Sequence, residues 1–441
     1  MTNGRPDWFL VLTAASIVPL IGAWVAYAGW GRRDTSDVLG PLSLVTLVFG
    51  LALVLGYAAL AWWAGADRDR NATVFPATVA VALVVVGLLT LAQVGIVLMT
   101  LYTFAIAARL FVFIAIAGVI AAFAVLRGTR ELLRAPVHYE TAVRVRPDQA
   151  PALWALVTEV ASAVKASPPR NLIVGLEPGF YATGARVALE QNGRTMSGET
   201  LYVSVTLLRL LTRTEVKAVV GHELGHLKGA DVEYTRRFSP AFAGLSSAVV
   251  TTQHLDDDVI QSLARWPALT FSRFLLAMFA TNERRIRRDR EFEADRVGAA
   301  AATPAALASA LLKFSVFSDL WPRLQRLTVA EVQAGLASPD LAASFEALAR
   351  RDTTSFADGN LTSILRERTT HPFDTHPPTA ERLDALGVNA REVELSLAHG
   401  WAHETDVDTE LGRLGEELTA LEMPLIEAYV AERGARTPRA A

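Results

Sequence analysis

Two uncharged runs near the start of the chain decide what kind of protein it can be. "WFLVLTAASIVPLIGAWVAYAGW" (Trp8 to Trp30) and "LGPLSLVTLVFGLALVLGYAALAWWAG" (Leu39 to Gly65) each exceed the roughly 20 residues needed to cross a hydrocarbon core. A third apolar run, Val74 to Leu126, is broken only by Arg109 and has the length for two more crossings joined by a turn near Thr100 to Thr103. The expectation is about four transmembrane helices within residues 1–127, with Arg109 near a helix end and snorkelling to the interface. Ala26-Tyr27-Ala28 resembles a signal-cleavage site, but the apolar stretch before it is long and further spans follow, so a retained anchor is expected. With four crossings, Arg5, Arg68, Arg70, Arg127, Arg130 and Arg134 fall on one side and Arg32 and Arg33 on the other. The positive-inside rule then makes the protein a multi-pass cell-membrane protein with its C-terminal body in the cytoplasm.

Composition agrees with the membrane reading: 51% of the 441 residues are hydrophobic. A formal net charge of -3 supplies no general attraction for nucleic acid, and the absence of cysteine excludes disulfides, thiol nucleophiles and cysteine metal ligands.

After Arg134 the pattern changes to that of a folded α+β body, expected over 128–390, with a helical tail over 391–441. "DQAPALWALVTEVASAVKA" has helical apolar spacing behind Asp148 as a cap candidate, and "RNLIVGLEP" reads as a short buried strand. "YATGARVALE" and "TLYVSV" are β-rich and separated by the turn stretch "QNGRTMSGE". Thr212 and Glu215 then have capping-box spacing, which starts a helix.

That helix carries "VVGHELGHLKGAD". One turn apart on one face, His222 and His226 can reach a single ion, and Glu223 stands beside them where it can hold that ion's water. A catalytic zinc needs a third protein ligand, and "RRDREFEADRVGAA" offers Glu291, Glu293 and Asp295. On a helix Glu291 and Asp295 share a face, while Glu293 points about 200° away from Glu291. One of that pair suits the metal and the other an imidazole N–H behind it; spacing leaves open which does which.

"HELGH", the later "EFEAD" and "THPPTAERLDAL", in that order, make the chain similar to the HtpX-type membrane zinc peptidases, relatives of the CAAX prenyl endopeptidases. The resemblance spans roughly Pro136 to Leu386. It implies a zincin-type metallopeptidase domain, mainly helical with a small sheet, behind the transmembrane helices. It also implies one Zn2+ per chain on His222, His226 and Glu291, Asp295 supporting a ligand histidine, Glu223 as general base, and His376 and Arg382 beside the developing oxyanion. "PGFYATG" departs from the family's Asn-Ala-[FY] strand, placing Gly179 where the Asn would be. An exposed edge there still allows backbone pairing with an extended substrate.

The expected function is cleavage of misfolded or exposed protein segments at the bilayer. A dedicated CAAX-like processing protease and a non-catalytic zinc scaffold are the alternatives, and retention of Glu223 argues against the scaffold. "SPAFAGLSSAVVTT" and "WPALTFSRFLLAMFAT" are short, with arginines at or within the second, and are read as a helical lid or interfacial hairpin rather than crossings. His254, His371, His399 and His403 are read as loop or surface residues.

Overall fold

The structure is a computed structural model. It describes residues 6–28, 33–104, 137–228, 259–336, 340–356, 377–393 and 405–436, with isolated positions in 112–119 and 234–249. The chain separates into two compact units, one comprising 1–136 with 233–286, the other 137–232 with 287–441.

Among the described residues, three helices of the first unit are long and apolar enough to cross a membrane: α1 (Trp8–Tyr27), α2 (Arg33–Ala64) and α3 (Arg68–Thr103). Asp7 caps α1 by accepting from the Leu10 amide, and Asp67 caps α3 by accepting from the Arg70 amide. Beyond Phe104, most of the run expected to supply a fourth crossing lies outside the described residues, Arg109 included. The outer faces stay apolar where they are exposed, as at Val45, Val48 and Trp62, which a lipid surround makes favourable. Several polar side chains inside the bundle answer backbone groups instead. Gln93 donates to the Ala14 carbonyl (2.8 Å), and Asn71 donates to the carbonyls of Gly65 and Asp67 (2.9 and 2.7 Å).

Residues 233–286 group with these helices because they share an apolar core. Phe75 packs against Phe238 and Phe279 (ring centroids 4.8 Å from each), and Phe271 and Leu275 belong to the same cluster. Asn282 donates to the Ala61 carbonyl at 2.7 Å. The stretch expected as a helical lid or hairpin arm is helical and runs without a break into the segment that carries Glu291 and Asp295, as one 43-residue helix, α7 (Val259–Ala301). Residues of α7 up to 286 belong to the first unit and those from 287 to the second.

Among its described residues the second unit holds two small sheets. One has the order β2-β3-β7-β4: β2 (Ala142–Val145) is antiparallel to β3 (Asn171–Gly175), β3 is parallel to β7 (Thr200–Ser204), and β4 (Phe180–Thr183) is antiparallel to β7 at the edge. The other is β1 (Val137–Glu140), β5 (Arg186–Leu189) and β6 (Arg194–Met196). β3 and β7 are buried along their whole length, as their β-branched and leucine content requires.

Around the four-stranded sheet pack α4 (Pro151–Ala163), α5 (Val205–Leu208), α6 (Arg213–His226), α8 (Pro304–Phe317), α9 (Leu320–Gln333), α10 (Leu341–Phe356), α11 (Thr379–Leu386) and α12 (Thr405–Arg436). Leu156, Leu172, Val203, Val216, Val220 and Leu312 are core members. The expected α+β class, mainly helical with small sheets, is what the structure has.

The tail is part of this body. Leu411, Leu414 and Leu418 of α12 are buried in the common core, and the Leu341 amide donates to Thr419. α4 starts at Pro151 with Ala150 as its N-cap, so no local side chain closes it. Asp148, the residue the sequence suggested, pairs with Arg146 at 3.1 Å instead. Glu410 of α12 supplies the missing acceptor, taking the Ala152 and Leu153 amides at 2.8 and 3.2 Å.

Glu410→Ala therefore leaves two helix-terminal amides without this acceptor and is expected to destabilise the second unit by about 1–2 kcal/mol. The thermal unfolding midpoint checks this, with exposed Leu425→Ala on the same helix as the reference that should not shift.

Candidate active site

α6 is fixed at its start. Thr212 accepts from the Glu215 amide while Glu215 accepts from the Thr212 amide at 2.7 Å, completing the expected capping box. The same Glu215 carboxylate takes Ser309 at 2.5 Å and the buried Lys313 ammonium at 2.8 Å, tying the helix start to α8. A lone lysine inside the apolar "ALLKF" was the only sequence signal for this pair.

α6 meets α7 at backbone distance. A Cβ on Gly298 would lie 2.5 Å from the Ala218 carbonyl oxygen and 3.1 Å from the His222 backbone nitrogen. One on Gly221 would lie 2.5 Å from the Ala301 Cβ. Only glycine permits this approach. Glu291, Asp295 and Gly298 recur at helical spacing, so the face of α7 that touches α6 also carries both acids.

The result is a cluster of His222, His226 and Glu291 whose ligand atoms all lie within 4.8 Å of one another. The Nε2 atoms of the two histidines are 3.3 Å apart, His226 Nε2 is 3.3 Å from one Glu291 oxygen, and His222 Nε2 is 3.6 Å from the other. Ligands held about 2.0–2.2 Å from a tetrahedral zinc stand roughly 3.3–3.6 Å apart, so the three side chains fit that ion.

Behind them lies a buried chain of charge. Asp295 accepts from Arg382 through both oxygens, at 2.9 and 2.5 Å, and sits 2.9 Å from His222 Nδ1. This directs a proton to Nδ1 and leaves Nε2 to face the cluster. Burial pushes the His222 imidazole down to about 4, against the opposing pull of Asp295, so it is neutral at physiological pH. Burial alone would raise Asp295, but the hydrogen bonds from Arg382 and His222 outweigh it and hold the carboxyl below its usual range. For Arg382 burial lowers the affinity for its proton, and the Asp295 hydrogen bonds reverse that. Arg382 also has one nitrogen 3.9 Å from Glu291, while its neighbour Glu381 binds Arg288 at 2.7 Å.

Glu223 is buried beside the cluster, and one of its carboxylate oxygens accepts from the Ala182 amide of β4 at 2.9 Å. The sequence suggested the strand but held no sign of this backbone contact. The structure thus brings together six of the expected residues, Glu223, His222, His226, Glu291, Asp295 and Arg382. The seventh, His376, lies outside the described residues.

The sequence model of Peptidase family M48 matches residues 155–389, just over half of the chain and all six of these residues. The chain belongs to peptidase family M48. Relatives include "Protease HtpX homolog" proteins of Thermococcus kodakarensis (28% identical, covering 56% of this chain and 76% of the relative) and Paenarthrobacter aurescens (31% identical, 54% and 72%). A third, from Pyrococcus furiosus, is 28% identical over 56% of this chain and 77% of its own length. No solved structure matches. The M48 chain is a membrane metalloprotease, a hydrolase acting on polypeptides, and the family is zinc-dependent in general.

Gly298→Ala must push α7 away from His222 and open the cluster. Zinc affinity is expected to fall by about 10–100-fold, the range seen when groups behind metal ligands are disturbed. Competition with a chelator measures it, and Gly412→Ala, where no neighbour meets the added methyl, should leave the affinity unchanged.

Proposed function

We propose that this M48 protease is an endopeptidase that hydrolyses misfolded or exposed protein segments at the cytoplasmic face of the membrane, using one zinc ion per chain on His222, His226 and Glu291. The observation that carries the reading is the placement of Glu223, a buried carboxylate beside the three ligand side chains with one oxygen held by the Ala182 amide. When bound there, zinc supplies Lewis acidity to the scissile carbonyl and acidity to the attacking water.

Glu223 takes the proton from that water and passes it to the leaving amine. The Ala182 hydrogen bond fixes the direction of that carboxylate. Asp295 holds the His222 ring, and Arg382 holds Asp295, so the direct hydrogen bonds of Arg382 bear on ligand geometry. Together with His376, Arg382 also brings positive charge toward the developing oxyanion, with His376 as the donor to it. An extended substrate is held by the outer edge of β4, which gives binding with little dependence on sequence.

Glu223→Gln is expected to keep zinc and lose chelator-sensitive cleavage of denatured casein. An active Glu223→Gln enzyme removes Glu223 as the base. His376→Phe should lower turnover by about 10²–10³-fold with zinc content intact; metal analysis beside the rate assay separates that result from the loss of a ligand. For sidedness, the cysteine-free chain makes one introduced thiol a unique reporter. An impermeant maleimide added to intact cells should spare a thiol introduced at exposed Ser162 of the catalytic body and label it only after lysis.

A further inference from the structure

We propose that Phe180 and Phe314 form an aromatic wall that selects an apolar side chain in the substrate close to the cleaved bond, an inference that rests on the protease reading above. In an antiparallel pair the outward and inward backbone groups alternate along the strand. The Ala182 amide points away from β7, toward Glu223, so the backbone groups of Phe180, two residues before it, face the same outer edge. Phe180 and Ala182 also place their side chains on one face of the sheet, the face packed on the main core.

There Phe180 stacks on Phe314 of α8, with ring centroids 5.6 Å apart and planes 14° from parallel. Both rings are only half-buried. The next residue of α8, Ser315, hydrogen-bonds Thr379 at 3.0 Å, one turn before Arg382 on α11. The pair is thus bracketed by the strand that holds Glu223 and by the helix that supports the ligands.

A peptide lying on the β4 edge points the side chain opposite Phe180 to the same face as the Phe180 ring, because directly opposed residues of neighbouring strands share a face. That substrate residue stands two positions from the one opposite Ala182, whose amide marks Glu223. Its side chain meets the exposed part of the stacked rings. An apolar group there removes area from water, whereas a polar group loses hydration without a partner from either ring. The backbone edge supplies affinity without sequence preference, and the aromatic pair adds preference at one position.

The test uses the full-length, zinc-loaded protein in lipid nanodiscs. Denatured casein is digested by the wild type, Phe180→Ala, Phe180→Leu and Phe314→Ala, and the new termini are read by mass spectrometry, with Glu223→Gln as the blank. The wild type should favour Leu, Ile, Val, Met or Phe over Ser, Asn and Gln on the order of tenfold at one position within two residues of the cut. Phe180→Ala should reduce that ratio at least about fivefold while cuts elsewhere in the profile persist, and Phe180→Leu should keep most of it. If Phe180→Ala does not accumulate as folded protein, the same reduction is expected from Phe314→Ala. Chelator-sensitive cleavage with an unchanged profile in the variants overturns this inference and leaves the protease reading standing. No chelator-sensitive cleavage by the wild type overturns both.

Discussion

The contact on which the site depends is the one between two helix backbones, where Gly298 of α7 lies against Ala218 and His222 of α6. Helices ordinarily keep their axes 8–10 Å apart, with side chains filling the space between them. Glycines at 221, 225 and 298 remove that filling. At this range the short Asp295 side chain reaches His222 Nδ1 from the neighbouring helix, and Glu291, one turn earlier, reaches both Nε2 atoms. Longer spacing would leave the acids facing the histidines across a gap.

Bringing acids together in a buried place has its own cost, since desolvated carboxylates repel and draw protons. Arg382, from a helix 87 residues further along the chain than Asp295, answers it with a two-pronged hydrogen bond and a position near Glu291. The guanidinium matches the carboxylate fork in a way an ammonium does not. A second buried pair, Lys313 with Glu215, sits at the other end of α6. Pairs of this kind contribute little net stability once desolvation is counted, and their use is to favour one arrangement of helices over others.

The membrane unit solves a related problem with amides rather than charges. Asn71, Gln93 and Asn282 each donate to main-chain carbonyls of neighbouring segments, as a region without water demands. The phenylalanines of residues 233–286 complete its core, which is why a stretch far along the chain groups with the first three helices.

The sequence by itself determined the apolar helices, the α+β class, the capping box at Thr212 and the zinc-type spacing of His222 and His226. All of these are local: each depends on residues within a helical turn or on the period of a single element. The pairing of Glu291 and Asp295 on one face was also legible, but which binds metal was not, because spacing alone treats the two acids alike. Tertiary structure alone decided the rest. Ala182 reaches Glu223 through a backbone amide that any residue would carry, and Glu410 caps a helix more than 250 residues away. The continuity of α7 through "WPALTFSRFLLAMFAT" escaped a reading based on polarity, because its partners, Trp8 of α1 against Phe274 and Phe75 of α3 against Phe279, lie far away in the chain. Contacts between distant segments leave no period in the chain, and they exist only once packing has brought those segments together.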